Sequence, residues 1–377
     1  MIKYPMVDLL GQYKKIKPEV DAAMAEVIAS ASFIKGPAVK SFQQHLENYL
    51  SVKHVIPCGN GTDALQLALM ALGLEPGDEV ITSSFTFIAT AEVIALLHLK
   101  PVLVDVLPDT YNIDPNAVEK AIGPKTKAII PVHLFGQTAD MKAILELAKK
   151  HNLFVVEDTA QAIGADYTFP GSAAVKKAGT LGDIGCTSFF PSKNLGAFGD
   201  GGAVFTDNDA LAAKLASLAN HGMKVRYYHD YVGINSRLDS LQAAILNVKL
   251  KHLDEYAAAR QKAAAFYNTA FAGCDKIVTP VTAAFTTHVY HQYTMVLKDV
   301  DREGLMKSLA EKGIASAIYY PVPLHLQKAY RDKRYAEGDL PVAEHLSKSV
   351  VSLPIHTELN DSIQQEIADA VLEFINR

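Results

Sequence analysis

Three residues in this sequence carry chemistry that their neighbours do not neutralise. Lys193 sits in "SFFPSKNLGAFGDGG", between an apolar run and a glycine cluster, with no acid within six residues on either side. Asp158 ends the apolar run "LFVVED". An ammonium or a carboxylate taken out of water is costly unless something pairs with it. Thr62 follows two glycines in "CGNGTDAL", where an apolar run gives way to a helical pattern. Glycines there let backbone N–H groups approach an anion, the Thr62 hydroxyl adds a donor, and the helix dipole favours negative charge. That arrangement suits a single phosphate.

Each residue alone also has a simpler use. Gly59 and Gly61 serve equally in a tight turn with Thr62 as a helix cap, and Asp158 could cap the helix after its strand. Gly59, Gly61 and Ala64 even satisfy G-x-G-x-x-A, but a dinucleotide site wants its acid at the end of the second strand. Asp78 and Glu79 precede that strand instead. Taken together, an amine for an aldehyde, a carboxylate for a ring nitrogen and a cradle for one phosphate meet the needs of pyridoxal 5′-phosphate. Ser188, five residues before the lysine, offers a further phosphate contact, and Phe87 in "SFTFIATAE" offers a flat ring to cover the pyridine or to fill the core.

These residues need a scaffold that brings distant segments together. From 54 to 206, seven short β-rich runs, "HVIPC", "DEVITSS", "KPVLVDV", "TKAIIPVH", "LFVVED", "GCTSFF" and "GGAVFT", alternate with helical patterns. Such alternation predicts an α/β domain on a mostly parallel sheet covered on both faces. Ligands collect at the carboxyl ends of such strands. An alanine-rich stretch from 237 to 271 reads as one long connecting helix, followed by a smaller α/β unit. The expected division is an N-terminal arm at 1–20, a large domain at 21–250 and a small C-terminal domain at 251–377.

The 377 residues are 49% apolar and 20% charged, with a formal net charge of -5. That composition predicts a folded chain, and the charge supplies no basic field for nucleic acid. Cys58, Cys186 and Cys274 are odd in number and far apart, and are expected as small core residues. With no charged and apolar leader and no run of about eighteen apolar residues, the expectation is a reduced, soluble, cytoplasmic protein without membrane partners.

The segments "CGNGTDALQLAL", "GDEVITSSFTFIATAE", "PVHLFGQTADM", "VVEDTAQAIGA", "SFFPSKNLGAFGDGG" and "GINSRLDSLQAAIL" strongly resemble the DegT/DnrJ/EryC1/StrS family of nucleotide-sugar aminotransferases, in order and spacing over nearly the whole chain. The resemblance implies an aspartate-aminotransferase-type fold (fold type I) and a homodimer with shared active sites. It implies Lys193 as the cofactor-bearing lysine, Asp158 as the partner of the ring nitrogen and Gln161 beside the ring hydroxyl. It also implies Gly61, Thr62 and Ser188 at the phosphate, Phe87 on the ring, and Asn235 reaching the phosphate of the other subunit's cofactor. The residue types are most similar to enzymes that aminate C3 of a UDP- or dTDP-linked keto sugar for surface polysaccharide, with L-glutamate as expected donor. Dehydratases of the family carry histidine in place of the lysine, so Lys193 points away from them. The segment 167–183 is a longer connection than a resemblance to the glucuronate enzymes would lead one to expect.

By the same resemblance, Tyr319 and Tyr320 in "AIYYPVPLH" touch the sugar. Arg237 meets a carboxylate of donor or sugar, or pairs with Asp239. His288 and His291 have metal-like spacing, but the surrounding "VYHQYTMVL" alternates as a strand, which would turn them to opposite faces, so no metal is expected. The alternatives are an enzyme of free amino acids using the same cofactor, and a regulatory protein that binds it without turnover.

Overall fold

The computed structural model describes residues 2–376. Strands β1 (His54–Cys58), β2 (Glu79–Ser83), β3 (Lys100–Val104), β4 (Thr126–Ile130) and β5 (Phe154–Asp158) come first. A hairpin of β6 (Asp166–Thr168) and β7 (Val175–Lys177) precedes β8 (Ile184–Ser188) and β9 (Gly202–Thr206). The large sheet has the order β1-β9-β8-β5-β4-β2-β3. Neighbours from β8 through β3 run parallel, and β9 is antiparallel to both β8 and β1. The seven apolar runs read from the sequence are these seven strands.

Both faces of the sheet are covered. Val80, Ile130 and Val156 point into one core, packed under α3 (Gly61–Leu72), α4 (Ala89–Leu96) and α7 (Asp209–Leu218). Their chain neighbours Ile81, Ile129 and Val155 enter the opposite core. Successive strand residues alternate in direction, so a strand buried on both sides must be apolar throughout. On that second side lie α1 (Leu9–Ser30), α2 (Pro37–Leu50), α5 (Pro115–Ala121), α6 (Met141–His151) and α8 (Ser240–Leu250), the last packing Leu246 with Phe42 and Phe189.

The long helix expected from 237 to 271 is two helices. α8 ends at Leu250 and α9 runs Leu253–Ala270. At the junction, Lys251 and His252 donate backbone bonds to residues three positions back, Val248 and Lys249, which tightens and ends α8. Asp254 and Glu255 then supply acid to the first turn of α9, where a helix N-terminus favours it.

Exposed hairpin β10 (Met223–Val225) and β11 (Tyr228–His229) lies before α8. The C-terminal part is an antiparallel sheet of β12 (Ile277–Val278), β13 (Tyr293–Leu297) and β14 (Val350–Leu353), with α10 (Arg302–Glu311), α11 (Pro341–Ser349) and α12 (Asp361–Ile375). Its core takes Tyr267 from α9 and also Tyr4 from the N-terminus, whose backbone pairs with Ile314. The expected arm spans residues 1–20; its described part, from residue 2, touches the C-terminal unit and then enters α1, which continues to Ser30 and packs Ile16 and Val20 on Ile245 and Val248. Cys58 and Cys186 are buried, whereas Cys274 is only half-buried, because it lies in the turn that follows α9. Among the described residues, no helix is long and apolar enough to cross a membrane.

Candidate active site

A cavity of about 700 Å³ opens at the carboxyl ends of the central strands. Asp158 is the last residue of β5, Ser188 the last of β8, and Phe87 follows β2. All three line the cavity with Gly61, Thr62, Gln161, Lys193, Tyr319 and Tyr320. Asp78 and Glu79 lie at the opposite, N-terminal end of β2. A dinucleotide arrangement is thereby removed.

At the phosphate end, the helix cap is Asn60, whose side chain accepts from the Asp63 N–H at 2.8 Å. Thr62 is therefore inside the first turn, with its hydroxyl on the cavity wall, and is not the cap. A Cβ on Gly61 would lie 2.6 Å from the Ser188 Cβ and 3.2 Å from its Oγ. Only glycine lets α3 and the end of β8 approach this closely. The result is a cradle of N–H groups and two hydroxyls at a helix N-terminus, suited to a phosphate.

Asp158 does not cap a helix. Its Oδ2 accepts from the Thr90 hydroxyl at 2.8 Å and its Oδ1 from the Ala160 N–H at 3.1 Å. Gln161 is also held at both ends: Oε1 accepts from the Phe135 N–H at 2.8 Å, and Nε2 donates to the Tyr320 hydroxyl at 2.9 Å. Burial pushes the Tyr320 phenol up, so it stays protonated. Phe87 is 54% exposed and presents its ring to the cavity, 6.2 Å from that of Tyr320.

The Lys193 amine makes no hydrogen bond or ion pair among the described residues. Removal from water lowers its pKa to about 8, against a smaller upward pull from Asp158. Among the described residues it is the one lysine or arginine in the cavity lining. His288 and His291 lie in the loop ahead of β13, not in the strand. His288 accepts from the Tyr290 N–H at 3.0 Å through Nδ1, and burial lowers its pKa to about 3. His291 lines the cavity, and burial with the nearby Lys193 and Arg260 charges keeps it neutral.

Asn235 and Arg237 are not in this cavity. Asn235 is exposed on the loop before α8. Arg237 lines a separate hollow of about 560 Å³ with Lys35 and Lys40. Asp239 does not pair with Arg237; it caps α8 through the Gln242 N–H at 2.8 Å. The segment 167–183 carries most of the β6–β7 hairpin, and none of its residues line the cavity.

Several supporting residues were not foreseen. Thr90 has no pattern that marks it. Glu157, next to Asp158, turns to the other face and is fully buried; it accepts from the N–H groups of Gly179, Leu181 and Gly182 and meets His133 Nε2 at 2.8 Å. Two adjacent acids closing an apolar strand were the visible signal, since one of them must face each way. Ser236 joins the Gly59 N–H, at 2.9 Å, to Asp63, at 2.6 Å.

The free amine, the anchored carboxylate and the glycine-tight anion cradle all fit pyridoxal 5′-phosphate. The profile of the DegT/DnrJ/EryC1/StrS aminotransferase family matches residues 14–372. The chain is 49% identical over 372 residues to the "Pleiotropic regulatory protein" of Geobacillus stearothermophilus, covering 98% of both chains. It is 46% identical over 354 residues to the UDP-2-acetamido-2-deoxy-3-oxo-D-glucuronate aminotransferase of Pseudomonas aeruginosa, covering 94% of this chain and 95% of that one. The crystal structure of S. venezuelae DesV in complex with a ketimine intermediate superposes with a TM-score of 0.95 at 42% identity, over 100% of both chains. The chain belongs to the DegT/DnrJ/EryC1/StrS aminotransferase family. It is a pyridoxal-phosphate-dependent aminotransferase by membership, and solved relatives carry that cofactor or its amine form.

Proposed function

We propose that this enzyme transfers an amino group, from L-glutamate, to C3 of a UDP- or dTDP-linked keto sugar, in the cytoplasm, for amino sugars of surface polysaccharide. The observation that carries the reading is the unpaired Lys193 amine sharing one cavity with Asp158. The relatives' printed substrates, a UDP-linked 3-oxo sugar and dTDP-3-amino sugars, support the substrate class.

When bound, the cofactor supplies an electron sink for the carbanion formed on removing the donor's α-proton. Lys193 would carry the cofactor and, when its amine is free, would take that α-proton; an amine with a pKa of about 8 is close to the best base at neutral pH. Asp158 would keep the ring nitrogen in its protonated form, with Thr90 fixing the carboxylate. Gly61, Thr62 and Ser188 would hold the phosphate, Gln161 would meet the ring hydroxyl and Phe87 would cover the ring, all of them residues of the one cavity. Tyr319 and Tyr320 contact the sugar.

One chain's cavity holds a single cation for a phosphate, a donor dicarboxylate and a nucleotide diphosphate. A second copy of the chain completes it, with Asn235 reaching the phosphate and Arg237 meeting a carboxylate. Their position outside the chain's own cavity and the exposure of Asn235 support a homodimer with shared sites.

The name of the Geobacillus stearothermophilus relative favours a second reading, a regulatory protein that binds the cofactor without turnover. One experiment separates the two. On adding glutamate, the holoenzyme's visible band should move to shorter wavelength, and a UDP- or dTDP-3-keto sugar should restore it. Cofactor binding with no spectral change under glutamate would support regulation instead.

A further inference from the structure

The segment carrying Lys193 is short and pinned. Phe189 and Ala197 close it with a 2.7 Å backbone bond, the Lys193 N–H donates to Phe190 O at 2.8 Å, and the Asn194 side chain donates to Val289 O at 2.9 Å. The turn folds back through Gly196, at φ 61°, where a Cβ would lie 2.4 Å from Pro191 O and 2.9 Å from Lys193 O. Outside this loop, α8 supplies two further grips. Lys249 Nζ donates to Gly196 O at 2.5 Å, and Gln242 Oε1 accepts from the Phe198 N–H at 2.8 Å. Seven residues are nearly two helical turns, so both side chains leave one face of α8.

Lys249 is an unexpected choice for this task. It is 1% exposed, and no carboxylate pairs with it among the described residues. Burial, with the Arg260 charge adding to it, lowers its pKa to about 7. An unpaired buried ammonium costs stability that an apolar side chain of similar length would not. What it gains is a donor on a carbonyl three residues from Lys193.

We propose that Lys249 and Gln242 are positioning residues that set the reach of the Lys193 amine by holding the backbone that follows it. The proposal rests on the reading that Lys193 carries the cofactor. Neither side chain lines the cavity, so both act through the loop and not through contact with a substrate.

Lys249→Met keeps the length and removes the donor, and Gln242→Ala removes the second grip at a half-buried site. In the holoenzyme, each variant should slow the glutamate half-reaction by about tenfold or more, since small misplacement of a reacting group has large effects. The KM for glutamate should stay nearly unchanged, and the melting temperature of Lys249→Met should not fall. A second readout needs no bound cofactor: the full-length cofactor-free chain is titrated with trinitrobenzenesulfonate, and labelling at Lys193 is followed by peptide mass spectrometry. A shifted pH midpoint or rate at Lys193 in the variants supports the proposal. Unchanged Lys193 labelling and an unchanged half-reaction in a folded Lys249→Met protein overturn it. If that variant does not fold, the same result in Gln242→Ala overturns it. If the wild type fails to bind cofactor at Lys193 at all, the functional reading fails first, and the labelling readout still tests the loop.

Discussion

The Thr90 hydroxyl donates to Asp158 Oδ2 at 2.8 Å, so the carboxylate that closes β5 is turned by the first helix after β2. The helix that follows β2 and the end of β5, two strands that are not neighbours in the sheet, thus meet at one oxygen. Asp158→Asn should slow the glutamate half-reaction by about 10²- to 10⁴-fold, because the electrostatic support for the developing carbanion is lost. Thr90→Val removes one bond to a charged group, worth about 1.5 to 3 kcal/mol, and should cost roughly ten- to a hundredfold. Single-turnover absorbance measures both.

Gly61→Ala forces a Cβ to within 2.6 Å of the Ser188 Cβ. The variant should lose affinity for pyridoxal 5′-phosphate while binding of pyridoxal, which lacks the phosphate, changes little. Equal losses for both ligands would place the phosphate elsewhere.

Lys193 should be reactive at lower pH than an ordinary exposed lysine. With a pKa of about 8, roughly a tenth of the amine is neutral at pH 7, against less than a thousandth for an ordinary lysine. Labelling of Lys193 in the cofactor-free chain should rise with pH and level off above about 8. Because the Asp158 charge raises this pKa, Asp158→Asn should move the midpoint down. A midpoint near 10 would contradict the desolvated setting.

Glu157 accepts three backbone N–H groups and faces His133, all inside the molecule. Glu157→Ala leaves these donors without a partner, at a cost of about 3 to 5 kcal/mol. Urea unfolding should show that loss in the cofactor-free chain as well as in the holoenzyme.

Tyr320 holds Gln161 through its hydroxyl and stands beside Phe87. Tyr320→Phe should slow sugar turnover more than the glutamate half-reaction. Equal loss in both halves would assign the hydroxyl to the cofactor alone.

The seven sheet strands were legible because burial on both faces demands unbroken apolar runs, as Val80 with Ile81 and Val155 with Val156 illustrate. Lys193, Asp158 and Thr62 were legible because charges and glycines stand out against such runs. Asn235 was reached through family resemblance alone, since nothing local distinguishes it. The break between α8 and α9 has no glycine or proline to announce it; the chain closes α8 with tightened backbone bonds at Lys251 and His252. Thr90, the His133–Glu157 pair and Lys249 act across 68, 24 and 53 residues of sequence, and pairings of that range leave no period to read.

Central to the account is a covalent link between Lys193 and the cofactor. Borohydride reduction of the holoenzyme followed by peptide mapping tests it directly. Reduced cofactor should be found on Lys193, and Lys193→Arg should abolish both the yellow band and the half-reaction. Label on another lysine, or a yellow, reducible and fully active Lys193→Arg protein, would contradict it.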